Sequence, residues 1–141
     1  MELFENRLIC QGTETATTSM SGTGEVPIGP PPSYGGNAHT LNPEELFVAS
    51  INSCIMLVFY HFAAQRKVEI ARYDSEAAGK VEKTKNGLRF TEVQVKATVV
   101  PTNPQQANQV ATLAALAEKY CLVSNSVACP VHYEASVPGL K

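Results

Sequence analysis

Two side chains of one predicted helix could do chemistry, the thiol of Cys54 as a nucleophile and the carboxylate of Glu44 as an acid or base. Residues three or four positions apart share a face of an α-helix, and such steps lead back from Cys54 to Ile51 and Phe47. One further step of three residues reaches Glu44, so the thiol and the carboxylate lie on one side. Free cysteine also often packs as a small apolar side chain, which leaves a structural role for Cys54 open.

The other cysteines are Cys10, Cys121 and Cys129. No Cys-x-x-Cys pair occurs, and four scattered cysteines do not make a disulfide framework, so the spacing predicts neither a zinc site nor another metal site. In a reducing compartment, cysteines that matter are more often catalytic or redox-active than structural. We expect Cys10 and Cys129 to be strand or core residues.

The composition indicates a soluble globular protein with one domain over residues 1–141. It is 44% hydrophobic and 17% charged. A net charge of -2 without a block of like charge argues against nucleic acid or an anionic membrane surface as partner, which leaves a small-molecule substrate. Met1 is followed by Glu2 and Glu5 rather than by a basic and then apolar segment, which predicts no secretory signal and a cytoplasmic location.

The segment NPEELFVASINSCIMLVFYHFAAQ, residues 42–65, is predicted to be the helix that carries Glu44 and Cys54. Asn42 is a favourable N-cap, and Pro43 fits the first helical position. Glu44 and Glu45 place negative charge at the positive end of the helix dipole. Glu45 is also spaced for a capping box with Asn42.

Apolar side chains fall on every face of this helix after Glu45, which predicts that protein surrounds it. Its charge-free part is also about long enough to cross a bilayer. Ser50 and His61 interrupt the apolar run and no anchoring pattern flanks it, so we expect a soluble core helix. About 24 residues make a helix about 36 Å long. A chain of this size has little material to cover it, and a tight homodimer that shares the central helices would do so.

Strands are predicted on both sides of the helix. Residues 3–11 and 14–20 form a predicted hairpin across Gly12 and Thr13, and residues 22–36, rich in glycine and proline, supply at most a short edge strand. After a turn at residues 66–67, residues 72–83 and 88–100 form a hairpin at Asn86-Gly87. The apolar phase of the second strand changes between Phe90 and Val93, which predicts a β-bulge there.

The last third of the chain is predicted to hold a second helix and a final strand. Asn103-Pro104 repeats the cap signature. The apolar positions of the following stripe, which runs to about Tyr120, are Ala107, Val110, Leu113 or Ala114, and Ala117. Residues 122–127 form a predicted short helix and residues 131–137 a last strand. The order ββ, helix, ββ, helix, β predicts an α+β fold with antiparallel sheet.

The segment NPEELFVASINSC together with CLVS, residues 121–124, resembles the OsmC/Ohr family of osmotically inducible and organic hydroperoxide resistance proteins. The similarity covers nearly the whole chain. It implies antiparallel sheets wrapped around a long central helix, in an intertwined homodimer with active sites at the interface. It also implies a thiol peroxidase that reduces organic hydroperoxides without a metal or a bound organic cofactor.

Carried over by position, the resemblance makes Cys54 the peroxidatic cysteine and Cys121 the resolving cysteine. Glu44 matches the acid that family members hold against an active-site arginine. The family chemistry converts the first thiol to a sulfenic acid, which the second thiol converts to a disulfide that an external dithiol reduces.

The chain departs from the family at this arginine. The loop PPPSYGGNAHTLNPEE contains no arginine, and Tyr34 stands roughly where one branch of the family places it. Arg7 is the one arginine before the helix, so Arg7 and His39 are the remaining candidate cations. A carboxylate near Cys54 without such a cation raises the thiol pKa. The alternative function on this scaffold is therefore the binding of a small lipophilic ligand or redox sensing.

Overall fold

The computed structural model of the chain describes residues 1–12, 15–20 and 24–139. It divides into two compact units, Met1–Phe47 and Val48–Lys141. The first unit contains three short strands and the beginning of the long helix α1, and the second contains the rest of α1, three strands and a second helix.

The first unit is a three-stranded antiparallel sheet in the order β1-β2-β3, formed by Asn6–Cys10, Ala16–Met20 and Gly24–Ile28. The pairing of β1 with β2 confirms the first predicted hairpin, although Thr13 and Glu14 in its connection lie outside the described residues. β3 is the short edge strand predicted in the glycine- and proline-rich segment, of which residues 22 and 23 also lie outside the described residues.

The loop after β3 folds tightly on itself. Pro32–Tyr34 form a 3₁₀ turn, and the N–H of Gly36 donates to the carbonyl oxygen of Pro31 at 3.0 Å. A Cβ atom on Gly36 would lie 1.7 Å from the carbonyl oxygen of Pro30. Only glycine therefore fits this position, and it fixes the path of the loop toward α1.

Helix α1, Pro43–Gln65, has the bounds that its sequence signals predict. Asn42 Oδ1 accepts a hydrogen bond from the N–H of Glu45 at 2.8 Å, which confirms the N-cap. At the other end, Val68 N–H donates to Ala63 O at 2.8 Å and Lys67 adopts φ 57°, the left-handed conformation that ends many helices.

A single chain leaves one face of α1 uncovered, so the prediction that protein surrounds this helix depends on the expected homodimer. The buried residues of α1 in the second unit form one stripe, Ile51, Ile55, Phe59 and Ala63. Leu57 is 62% exposed on the opposite side, because the sheet of the second unit contacts only one face of the helix. By length and composition alone, α1 is also apolar enough to cross a membrane, a test that core helices of soluble proteins pass as well.

The sheet of the second unit has the order β4-β5-β6, formed by Ile70–Thr84, Gly87–Pro101 and Val131–Ser136. β4 and β5 make the long predicted hairpin. Lys80 pairs with Glu92 and Val81 with Phe90, so Thr91 is the extra residue of a bulge, as the change of apolar phase predicted.

One strand pair differs from the antiparallel arrangement that we expected. β6 runs parallel to β5, with Val93 opposite Val131. A parallel neighbour requires a crossover connection, and the chain makes it through helix α2, Gln109–Tyr120. The sheet is therefore mixed, within the α+β class that was predicted.

Helix α2 begins later than its cap signature suggests. Asn103 caps a 3₁₀ turn, Pro104–Gln106, by accepting a hydrogen bond from Gln105 N–H at 3.0 Å, and the α-helix starts at Gln109. The buried face is the predicted one, with Val110, Leu113 and Ala117. The predicted short helix after Cys121 is a single 3₁₀ turn, Ser124–Ser126.

Gly79 of β4 lies where α1 approaches the sheet. A Cβ atom there would lie 2.7 Å from Val48 Cγ2 and 2.7 Å from Phe90 Cε1. We expect Gly79→Ala to lower the free energy of unfolding by about 1–3 kcal/mol in urea denaturation. Val48→Ala removes Cγ2, so the double variant should lose less than the sum of the two single variants. Equal urea midpoints for Gly79→Ala and the wild type would contradict this packing.

Candidate active site

The thiols of Cys54 and Cys121 lie close enough together for Cys121 to raise the pKa of Cys54, although they belong to distant parts of the sequence. Cys54 is half-buried on α1, and Cys121 is fully buried as the residue that ends α2. All four cysteines are present as thiols. The structure thus brings together the two cysteines that the family resemblance pairs.

The surroundings of Cys54 raise the pKa of its thiol. Burial is the main cause, and the hydrogen bond and charge of Cys121 act in the same direction. The nearby backbone of Val123 and Leu122 lowers the pKa of Cys54, because an N–H group close to the sulfur favours its thiolate. Burial prevails, so within one chain Cys54 is mostly protonated at neutral pH.

The segment that follows α2 holds Cys121 in place. Ser124 N–H donates to Cys121 Sγ at 3.4 Å, and Ser124 Oγ donates to the carbonyl oxygen of Cys121 at 3.3 Å. Asn125 N–H donates to the same carbonyl oxygen at 3.1 Å. The serine of the CLVS motif therefore closes the turn that presents the second thiol.

Polar residues that the motifs did not single out connect α1 with the sheet of the second unit. Ser75 Oγ donates to Asn52 Oδ1 at 2.7 Å, and Asn52 precedes Cys54 by two residues on α1. The hydroxyls of Tyr73 and Tyr133 share a hydrogen bond of 2.7 Å, and burial raises the pKa of both. Tyr73 and Ser75 lie on the same face of β4 because side chains alternate along a strand, but only the fold shows their partners.

In the first unit, Glu44 and Tyr34 line one open groove of about 500 Å³. The rest of its wall is almost entirely apolar and consists of Leu8, Cys10, Ala16, Ile28, Gly29, Pro30, Pro31 and Pro43. Cys10 is exposed on strand β1, where it faces this groove, rather than in a core.

The candidate replacements for the arginine are not part of this groove. Arg7 and His39 do not belong to its lining among the residues that the structure describes. Arg7 precedes Leu8 on β1, and consecutive strand residues point to opposite faces. The backbone N–H of His39 donates to Asn37 Oδ1 at 2.6 Å. Cys129 is half-buried just before β6, and no cluster of metal-binding side chains occurs within residues 1–12, 15–20 and 24–139.

A model of the OsmC-like protein family matches residues 35–136 of the chain, which confirms the resemblance carried by the two motifs. No curated protein matches it.

Solved structures show the fold over nearly the whole chain. One similar structure is an OsmC-like protein of unknown function from Vibrio cholerae, with 24% identity and TM-score 0.86 over 96% of this chain and 99% of that one. Another is an organic hydroperoxide resistance protein, OsmC, from Legionella pneumophila, with 22% identity and TM-score 0.75 over 97% of each chain. A third is OhrB of Bacillus subtilis, with 18% identity and TM-score 0.67 over 96% and 98%. They confirm the α+β OsmC-like fold.

We expect Cys121→Ala to lower the pKa of Cys54, because Cys121 contributes to the increase. The thiolate is the form that alkylates, so labelling of Cys54 by iodoacetamide should extend to lower pH in this variant. The measurement is the labelling rate of the Cys54 peptide by mass spectrometry from neutral to alkaline pH. Cys129→Ala is the matched control and should keep the wild-type profile. A profile of Cys121→Ala that moves to higher pH would contradict the contact.

Proposed function

The chain belongs to the OsmC-like family, and we propose that it is a thiol peroxidase that reduces organic hydroperoxides, with Cys54 as the nucleophile and Cys121 as the resolving cysteine. The observation that carries this proposal is the contact between the two thiols, one from α1 and one from the end of α2. A purely structural role explains neither this pairing nor the groove that contains Glu44.

The proposed cycle needs only the two thiols and an external reductant. The Cys54 thiolate attacks the distal oxygen of the hydroperoxide, the O–O bond breaks, and the alkoxide takes up a proton and leaves as the alcohol. The Cys121 thiolate then attacks the sulfur of the Cys54 sulfenic acid. A disulfide forms, and hydroxide leaves and takes up a proton to become water. An external dithiol restores both thiols by exchange, so no metal or bound cofactor enters the electron balance.

The burial of Cys121 supports a resolving rather than a peroxidatic role. Its side chain is 0% exposed, so an external peroxide reaches it poorly, whereas Cys54 is only half-buried. It also lies near Cys54, as a resolving cysteine must. Organic hydroperoxide resistance proteins share the fold of this chain, which favours an organic hydroperoxide over hydrogen peroxide as the substrate.

We further propose that the working enzyme is a cytoplasmic homodimer. Leu57 is 62% and Leu122 68% exposed in the second unit, and burial of these side chains by a second copy would remove apolar surface from water. A second copy would also offer Arg7 as a cation that lowers the raised pKa of Cys54. His39 is the other candidate for this role. Glu44 would then orient that cation.

We expect Cys54→Ser to abolish turnover of cumene hydroperoxide, because the variant lacks the attacking sulfur. Cys121→Ser should be oxidised once and accumulate the Cys54 sulfenic acid, which dimedone labelling and mass spectrometry detect. In the wild type, a disulfide between Cys54 and Cys121 should form within seconds of one equivalent of oxidant, and faster with cumene hydroperoxide than with hydrogen peroxide. Cys129→Ser serves as the matched control with normal turnover. Turnover retained in both active-site variants would refute the proposal.

The second candidate function is the binding of a small lipophilic ligand, with the cysteines redox-responsive at most. The raised pKa of Cys54 and the apolar groove favour it. In that case cumyl alcohol, which has the shape of cumene hydroperoxide without its oxidising bond, should raise the melting temperature by binding the native state. Tyr34→Ala should reduce the shift, and peroxide turnover should be feeble. Rapid turnover without any shift in melting temperature would exclude this function.

A further inference from the structure

One flank of helix α1 packs along strand β4 in the second unit. Three residues of the helix contact three residues of the strand, and the order of the pairs is reversed between the two elements. The pairs are Val48 with Gly79, Asn52 with Ser75, and Phe59 with Tyr73. The helix therefore runs antiparallel to β4, and Asn52 lies in the middle of this contact.

The other flank of α1 faces the end of α2. The rings of Phe62 and Tyr120 lie 5.5 Å apart between centroids, and Tyr120 is the last residue of α2. Cys121 follows directly and lies near enough to affect the pKa of Cys54. Asn52 and Cys54 are two residues apart, which separates them by about 200° around a helix. One flank thus meets the strand, and the opposite flank meets the second thiol.

The hydrogen bond between Ser75 and Asn52 resists a turn of α1 about its own axis. The apolar stripe under the helix packs without a preferred direction, whereas a hydrogen bond needs a short distance and a nearly linear angle. Ser75 Oγ and Asn52 Oδ1 are 2.7 Å apart, and both side chains are half-buried. Side chains reach about 5–6 Å from a helix axis, so a turn of about 10° would move the Cys54 sulfur by about 1 Å.

We propose that Asn52, held by Ser75, is a positioning residue that fixes the rotation of α1 and thereby the approach of Cys54 to Cys121. It acts through the helix rather than on the sulfurs themselves. A disulfide requires a Cβ–Cβ distance of about 3.5–4.5 Å, so a displacement of about 1 Å matters. The effect on peroxide turnover rests on the proposed function, whereas the effect on the disulfide equilibrium does not.

The proposed role of Asn52 is separable from the stability of the helix. Asparagine has a lower intrinsic helix propensity than alanine, because its side chain competes for backbone hydrogen bonds. Asn52→Ala therefore removes the bond to β4 while it favours the helix itself. A change in the reactions of Cys54 and Cys121 in this variant would not come from a weakened helix.

The first test measures the disulfide equilibrium with glutathione and needs no peroxidase activity. Oxidised glutathione converts the two thiols to the disulfide between Cys54 and Cys121 and becomes two molecules of reduced glutathione. At a fixed glutathione buffer, the ratio of disulfide to dithiol should be lower in Asn52→Ala by about threefold or more, because the thiols meet less often in bonding geometry. Mass spectrometry of the alkylated peptides measures this ratio.

Tyr73→Phe is the matched control for the loss of one hydrogen bond. It removes the 2.7 Å bond between Tyr73 and Tyr133, which lies within the sheet, and keeps the ring that packs on Phe59. Ser75→Ala should act like Asn52→Ala, and the double variant should be no worse than either, since each loses the same bond. Ser75→Thr retains a hydroxyl and should keep the wild-type ratio.

The second test follows the proposed peroxidase cycle. In Asn52→Ala, the Cys54 sulfenic acid should form at the wild-type rate but convert to the disulfide about tenfold more slowly. Dimedone labelling of Cys54 should therefore increase, and excess cumene hydroperoxide should oxidise more of it to sulfinic acid. Tyr73→Phe should show neither change.

The outcomes separate the positioning role from the peroxidase. Equal disulfide-to-dithiol ratios in Asn52→Ala and the wild type would overturn the positioning role, as would an equal decrease in Tyr73→Phe or a wild type that forms no disulfide. A lower ratio in Asn52→Ala of a protein without peroxide turnover would support positioning and refute the peroxidase. An unchanged ratio with rapid turnover would do the reverse. If Asn52→Ala does not fold, the comparison of Ser75→Ala with Ser75→Thr decides.

Discussion

The contact between the thiols of Cys54 and Cys121 is the interaction on which the second unit converges. Cys121 reaches it because α2 packs its apolar face, Val110, Leu113 and Ala117, into the core and ends at Cys121. Cys54 reaches it because the neighbouring position Ile55 belongs to the buried stripe of α1. The crossover through α2 makes β6 parallel to β5. The position of each element thus follows from ordinary apolar packing, and the two cysteines lie next to the apolar core.

Burial has two opposite effects at this contact. It excludes water from a thiol that is meant to react with its neighbour, and it also disfavours the ionised form that reaction requires. Backbone N–H groups offset part of this cost without adding a charged side chain to the core. Within one chain the cost of burial remains larger. Any peroxidase activity therefore depends on a further group, such as a cation, that lowers the pKa of Cys54 more than one chain does.

The parts of the fold that local chemistry determines could be predicted from the sequence. Asn42 and Glu45 marked the start of α1, and the change of apolar phase after Phe90 located the bulge at Thr91. The parallel pairing of β6 with β5 could not be predicted, because the sequence pattern of a strand of six residues does not indicate whether its neighbour runs parallel or antiparallel. Periodicity alone also could not show what covers an all-apolar helix. The pairing of Cys54 with Cys121 was predicted from family motifs, whereas the bond from Ser124 N–H to Cys121 Sγ depends on backbone geometry, which residue types do not encode.

The distance along the chain between Cys54 and Cys121 links the redox state to the folding equilibrium. A bond between them would close a long loop that spans the whole β4–β5 hairpin and α2, and cross-links of such loops stabilise proteins by roughly 4 kcal/mol in the chain-entropy description. By the same thermodynamic cycle, a disulfide that stabilises the native state becomes harder to reduce by that amount. A reductant would then meet a lower reduction potential in the folded protein than in its unfolded chain, so the fold itself would help to set the strength of the reductant that the cycle needs.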